Sequence, residues 1–236
     1  METKARQLSH RPLDPLDLLT RSADLEQLLR FFQALDEEMV AATADAARTI
    51  PEASVPSAKQ ARGTLRRYFM ERAVRTAGAR TALEVGTNWT TPATWSYPTV
   101  RIGAFTVVLG LVFSRYNGAP RQLRTRSSYV ATLCARNAPL DPQGTLFEPA
   151  GGALSTLIPD GAFGGLIVSE HNAAIPELPS FLGLWVPSTD LKQCYHSYSF
   201  EQVIGYLREK IAATKKPVRK VVQRKLPKLR KEPAPK

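Results

Sequence analysis

Two carboxylates stand in otherwise apolar surroundings. Glu84 follows Ala82 and Leu83 and precedes Val85, and Glu170 closes the run Gly165 to Ser169. A charge carried into a core needs a reason. Carboxylates and a lysine on adjoining strands can hold divalent cations against a scissile phosphate, so Glu84 and Glu170 are the first candidates for such a site. Glu170 is followed by His171 and Asn172, which departs from the acidic-x-Lys pattern of restriction-type nucleases. Asp190-Leu191-Lys192 does have the Asp-x-Lys form, although it falls in loop-like sequence. The catalytic candidates are therefore Glu84, Glu170, His171, Asp190 and Lys192, and the chemistry they suggest is metal-dependent cleavage of nucleic acid.

Other chemistries find no motif. The three histidines, His10, His171 and His196, show no ligand spacing, and neither HExxH nor CxxC occurs. No metal ligand set is expected. GxSxG is absent. Gly161-Ala162-Phe163-Gly164-Gly165 lacks the Gly-Lys-Ser/Thr ending of a P-loop, and no GxGxxG appears, so no nucleotide cofactor is expected. Cys134 and Cys194 lie far apart, a usage that fits a reducing compartment, and both are expected to be core thiols. The first residues carry charges and prolines with no apolar h-region, and the longest apolar stretch, 103–113, is too short to span a bilayer. A cytoplasmic or nucleoid-associated location is expected, nuclear in a eukaryote.

The charge is the strongest signal. The whole chain carries +11, yet residues 215–236 hold ten Lys or Arg against one acid, Glu232, which is +9 and leaves 11 − 9 = +2 for residues 1–214. Such asymmetry marks an interaction tail. Lys215, Lys216, Arg219, Lys220, Arg224, Lys225, Lys228, Arg230 and Lys231 can neutralise phosphates and release counterions, giving affinity for DNA or RNA that does not depend on sequence. Pro217, Pro227 and Pro233 limit any helix, and too little apolar surface is present to offset ordering, so the tail is expected to be disordered when free. It has no aromatic residue and hence no stacking platform of its own. Solubility, an anionic membrane surface and a nuclear import signal are the competing roles.

These residues need a scaffold. Residues 1–21 read as a flexible arm, 22–213 as one domain with a helical part, 22–79, and a sheet-rich part, 80–213, and 214–236 as the tail. Leu25, Leu28, Leu29, Phe32, Leu35 and Met39 repeat at helical spacing after Asp24, an N-cap with Gln27 as capping-box partner. A second helix spans 57–76, closed by Gly78, with Ala58, Ala61, Leu65 and Phe69 as its buried side. Its arginines, Arg62, Arg66, Arg67, Arg72 and Arg75, read as a solvated face with local pairing such as Glu71 to Arg75. A phosphate-contacting face is the alternative. Residues 82–85, 99–116, 121–125, 165–169 and 181–186 read as strands, with 128–135 continuing the third or forming another and Asn117-Gly118 as a hairpin turn. The segment 87–98, with Trp89, Trp95 and Tyr97, reads as a connection whose aromatics cap the core edge, a stacking surface being the alternative. Ser199 and Gln202 open a last helix, 200–213.

Two helices, a run of about five strands and a final helix predict an α+β fold with a mainly antiparallel sheet. The functional expectation is a non-enzymatic nucleic-acid-associated protein, with the tail on phosphate backbones and the body serving partner binding or assembly. A metal-dependent nuclease and a coat-like assembly subunit are the alternatives.

Overall fold

The computed structural model describes residues 14–21, 23–50, 56–114, 121–123, 127–141 and 158–215. It is an α+β fold: α1 (Pro15–Leu19), α2 (Leu25–Thr49), α3 (Pro56–Thr81), β1 (Val85–Trp89), β2 (Ser96–Ile102), β3 (Phe105–Phe113), β4 (Gln122–Leu123), α4 (Ser128–Cys134), a 3-10 turn (Ala135–Leu140), β5 (Phe163–His171), β6 (Pro179–Pro187), β7 (Cys194–Ser199) and α5 (Phe200–Lys215). The strands form one sheet in the order β1-β2-β3-β5-β6-β7, with β4 on the far end of β3. Among the described residues only the β3–β5 pairing is parallel. Asn117-Gly118 lies outside the described residues, but β3 and β4 on either side of it pair antiparallel.

Alternation along the strands sorts the core into two layers. Val107, Leu109, Ile167, Leu182, Leu184 and Val186 join the helices α1, α2, α3 and α5. Val108, Val112, Leu166, Val168 and Trp185 face the other way and pack with Val130 and Cys134 of α4. β3, β5 and β6 are thus covered on both sides, which is why they read as unbroken apolar runs.

Helix α2 begins as expected: the Asp24 carboxylate accepts from the amides of Glu26 and Gln27 at 2.9 and 3.2 Å. Gln27 does not close a capping box. Its amide donates to the carbonyls of Thr81 and Ala82, at 3.1 and 2.9 Å, and ties the start of α2 to the end of α3. The capping box at α5 does form: Ser199 N–H donates to Gln202 Oε1 at 2.8 Å and Gln202 N–H to Ser199 Oγ at 3.1 Å.

Several expectations are corrected. Residues 15–19 of the expected arm are helical, and Leu16, Leu18 and Leu19 are buried in the main core. Helix α3 runs past Gly78 to Thr81, where Ala82 turns the chain at φ 54°. Its buried stripe is Met70, Ala73, Val74, Ala77 and Thr81; of the expected side only Phe69 packs on the core, half-buried, and Ala58, Ala61 and Leu65 do not, so the first half of the helix stands away from the core. Residues 128–134 form α4, not a strand. Their apolar residues Val130 and Cys134 are four apart and lie on one helical face. Cys194–Ser199 forms an edge strand that is not among the expected strands, because its polar side chains hide the alternation. Strands β1 and β2 extend into the aromatic segment, leaving only residues 90–95 as connection.

Candidate functional site

The sheet register separates the carboxylate candidates. Val85 is level with Val100, Val107 and Gly165 in successive strands, so Glu84 lies about six residues from the level of Glu170. That is roughly 20 Å along the strands and three strand spacings, about 14 Å, across them. Two metals in a shared phosphodiester site sit only ~4 Å apart. Glu84 is also exposed, at the margin of the sheet rather than inside it. Asp190 and Lys192 occupy the β6–β7 turn, at the opposite end of the sheet from Glu170 and His171. There Asp190 accepts from Ser188 Oγ at 2.7 Å and from Lys192 N–H at 3.0 Å and pairs with Lys192 Nζ at 3.5 Å. These bonds, the one from the Lys192 amide foremost, hold its carboxyl below the usual range. They are the contacts of a turn. His196, on β7, pairs with Val186 and is likewise at the end away from His171.

Glu170 is buried for a local reason. Burial alone would raise its carboxyl, but hydrogen bonds from Ser114, Arg121 and Ser180 and the Arg121 charge outweigh that and hold it low. Arg121 Nε reaches Glu170 Oε2 at 2.9 Å, and its guanidinium lies 4.0 Å from the centre of the Phe181 ring, across the strand pair from Glu170. Cys134 and Cys194 are pushed up to about 12 by burial, which disfavours the nucleophilic thiolate. Among the described residues no group of three His, Cys, Asp or Glu lies together where it could hold a metal ion.

Side chains do converge where α3 meets the β1–β2 hairpin. Residues 90–95 are tied internally: Thr90 N–H donates to Trp95 O at 2.8 Å, Thr90 Oγ1 to Pro92 O at 2.8 Å, and Trp95 N–H to Thr90 Oγ1 at 3.1 Å. This stiff loop leans Trp95 on α3. Its indole Nε1 donates to Glu71 Oε1 at 3.0 Å, while Arg67 pairs with the same oxygen at 3.0 Å and sits 5.5 Å from the Trp95 ring centre. Glu71 is therefore the partner of Arg67, not of Arg75. Arg75 instead donates to Thr87 Oγ1 at 2.8 Å. Arg67 also donates to the Tyr129 hydroxyl at 3.3 Å, and Tyr129 stacks on Tyr97 with centroids 4.0 Å apart.

The two tryptophans do not cap the core, whereas Tyr97 is half-buried and packs against the layer around Val108 and Trp185. Trp89 is 61% exposed, Tyr68 54% and Trp95 37%. A cleft of about 420 Å³ opens between Tyr68, Arg72, Arg75, Trp89 and Trp95. Trp95 also walls a cleft of about 320 Å³ with Lys59 and Arg67, and Trp89 one of about 460 Å³ with Tyr97, Tyr129 and Arg136. The sequence shows the arginines and the tryptophans as separate features; Tyr68, Tyr129 and Arg136 carry no signal in it.

Of the tail residues, Lys215 ends α5 and pairs with Glu26 at 2.7 Å. The rest of the tail, 216–236, with the other eight candidate residues, lies outside the described residues. No described helix is long and apolar enough to cross a membrane. Comparison with protein-family models, with curated proteins and with solved structures finds no match.

Proposed function

We propose that this chain is a non-enzymatic nucleic-acid-associated protein. Its basic C-terminal segment engages phosphate backbones without reading sequence, and its folded body serves partner binding or assembly. The observation that carries this reading is the placement of +9 of the +11 net charge in residues 215–236. Clustered Lys and Arg with no rigid frame neutralise phosphates but cannot hold bidentate groups against base edges. The scatter of the five catalytic candidates over both ends of the sheet favours binding over cleavage.

The test is binding of duplex DNA and of RNA as a function of salt. Six to nine engaged cations give a slope of log K against log salt of about −4 to −8. Random-sequence and defined-sequence duplexes bind equally. A slope near zero, or a strong preference for one sequence, would contradict the reading.

A further inference from the structure

We infer that the two clefts where α3 meets the hairpin and the adjoining cleft between the hairpin and α4 form one track for single-stranded nucleic acid, with Trp89 and Trp95 as the stacking partitions between its subsites. This rests on the nucleic-acid reading above and gives the body a role that the tail cannot fill. The tail has cations but no aromatic residue, whereas single-strand binding needs both a cationic groove and rings on which bases stack.

Three observations carry the inference. The first is continuity. The middle cleft shares Trp95 with one neighbour and Trp89 with the other, so each indole separates two adjoining hollows. A strand whose bases enter successive hollows would place an indole between neighbouring bases. The second is charge. The three linings contain Lys59, Arg67, Arg72, Arg75 and Arg136 against one carboxylate, Glu71, which is 5 − 1 = +4. Glu71 is already held by Arg67 and by the Trp95 indole, each at 3.0 Å, and Arg72 pairs with Asp45, outside the linings, at 3.3 Å, which lowers the local excess to 4 − 1 = +3 and leaves Lys59, Arg75 and Arg136 without a carboxylate partner among the described residues. Each hollow thus has at least one cation for a phosphate. The third is rigidity. The loop carrying Trp95 is closed by its own hydrogen bonds and its indole is fixed to α3, while Trp89 ends β1 in register with Ser96, so the Trp95 ring and the backbone under Trp89 are set before a ligand arrives.

Aromatic grooves also take proline-rich peptides, and this chain's own basic segment contains prolines. The charge decides between occupants: a positively charged lining repels a segment of +9 and attracts a polyphosphate.

The experiment uses the full chain at about 0.3 M salt, where backbone attraction is weakened and stacking persists. The probes are an oligothymidylate of about a dozen nucleotides, an abasic strand of the same length and a duplex of the same length. Binding is read by anisotropy and by intrinsic fluorescence, to which Trp185, 4% exposed, contributes little change. The oligothymidylate is expected to quench the indoles and to bind more tightly than the abasic strand. Trp89→Ala is expected to weaken oligothymidylate binding about 5- to 150-fold while changing duplex binding less than about twofold, and Trp89→Phe to retain most of it.

If Trp89→Ala leaves the ratio of single-strand to duplex affinity unchanged, the track is overturned and the tail reading stands. Quenching by a proline-rich peptide with none by the oligothymidylate would assign the surface to a protein partner and overturn the inference. If the full chain binds no nucleic acid even at low salt, both readings fall.

Discussion

Asn137, in the 3-10 turn after α4, is fully buried. Its side chain works where β5 and β6 part. Ladder pairing of these strands stops at Leu166 and Trp185, and Pro187 has no N–H to continue it. The Asn137 amide fills the gap, donating to Gly164 O at 2.9 Å and Pro187 O at 2.8 Å and accepting from Gly164 N–H at 2.8 Å. Asn137→Ala would leave these peptide groups unpaired in a dry site. A loss of about 2–4 kcal/mol is expected in denaturant unfolding, larger than for an exposed Asn. Glu170 invites a second test. Arg121→Ala removes the guanidinium 2.9 Å from a buried carboxylate and should cost about 1–3 kcal/mol at neutral pH. Because the folded carboxyl is held low, its contribution is present above the unfolded value of about 4.3 and is lost as pH falls through the folded value. The penalty of Arg121→Ala should therefore shrink in acid, and unfolding curves at pH 7 and below pH ~4 check it. A charged residue in an apolar run is visible in a sequence. Whether its partner is a metal, a substrate or an arginine from another loop is decided by tertiary contacts, so Glu170 was legible as buried but not as salt-bridged.

At the scale of elements, α3 carries a matched pair of glycines. Gly63 sits in the half of the helix that stands away from the core, and a methyl group there would meet nothing within 4 Å. Gly63→Ala should stabilise the protein by about 0.5–1 kcal/mol through helix propensity. Gly78 is buried against Val85 and the Leu83 carbonyl, and a methyl group would collide with both. Gly78→Ala should destabilise by about 1–3 kcal/mol despite the same gain in propensity. Thermal unfolding of the two variants should move in opposite directions. The same helix shows what pattern reading can and cannot reach. Helix α2 has a strong stripe of Leu28, Phe32, Leu35 and Met39, and it starts at Leu25, directly after the expected N-cap Asp24. Helix α3 buries Ala, Thr and Gly beside Met70 and Val74, a weak stripe, so its existence was legible and its buried face was not. The strands β3, β5 and β6 were readable because both of their faces are covered. The edge strand β7 was not, because it is polar on the outside and only half-buried within.

For the whole molecule, the candidate site was legible only in pieces. The tryptophan segment and the arginine helix lie next to each other because Trp95 hydrogen-bonds Glu71 over a sequence distance of 24 residues, a contact that no local pattern encodes. The charge asymmetry needed no structure, since it is a property of the chain. On the proposed reading it divides the labour: a basic segment for phosphate backbones, and a body whose own excess of charge is +2. Residues Phe200, Val203, Leu207 and Ile211 anchor α5 in the core, so ending the chain after Thr214 keeps every buried contact of that helix. The decisive measurement is therefore duplex-DNA and RNA binding against salt for the full chain and for a chain ended at Thr214. The account predicts that the shortened chain loses most of the affinity for duplex and most of the salt slope of about −4 to −8. A shortened chain that binds duplex as tightly, with the same slope, would contradict it and place the phosphate-binding surface on the folded body.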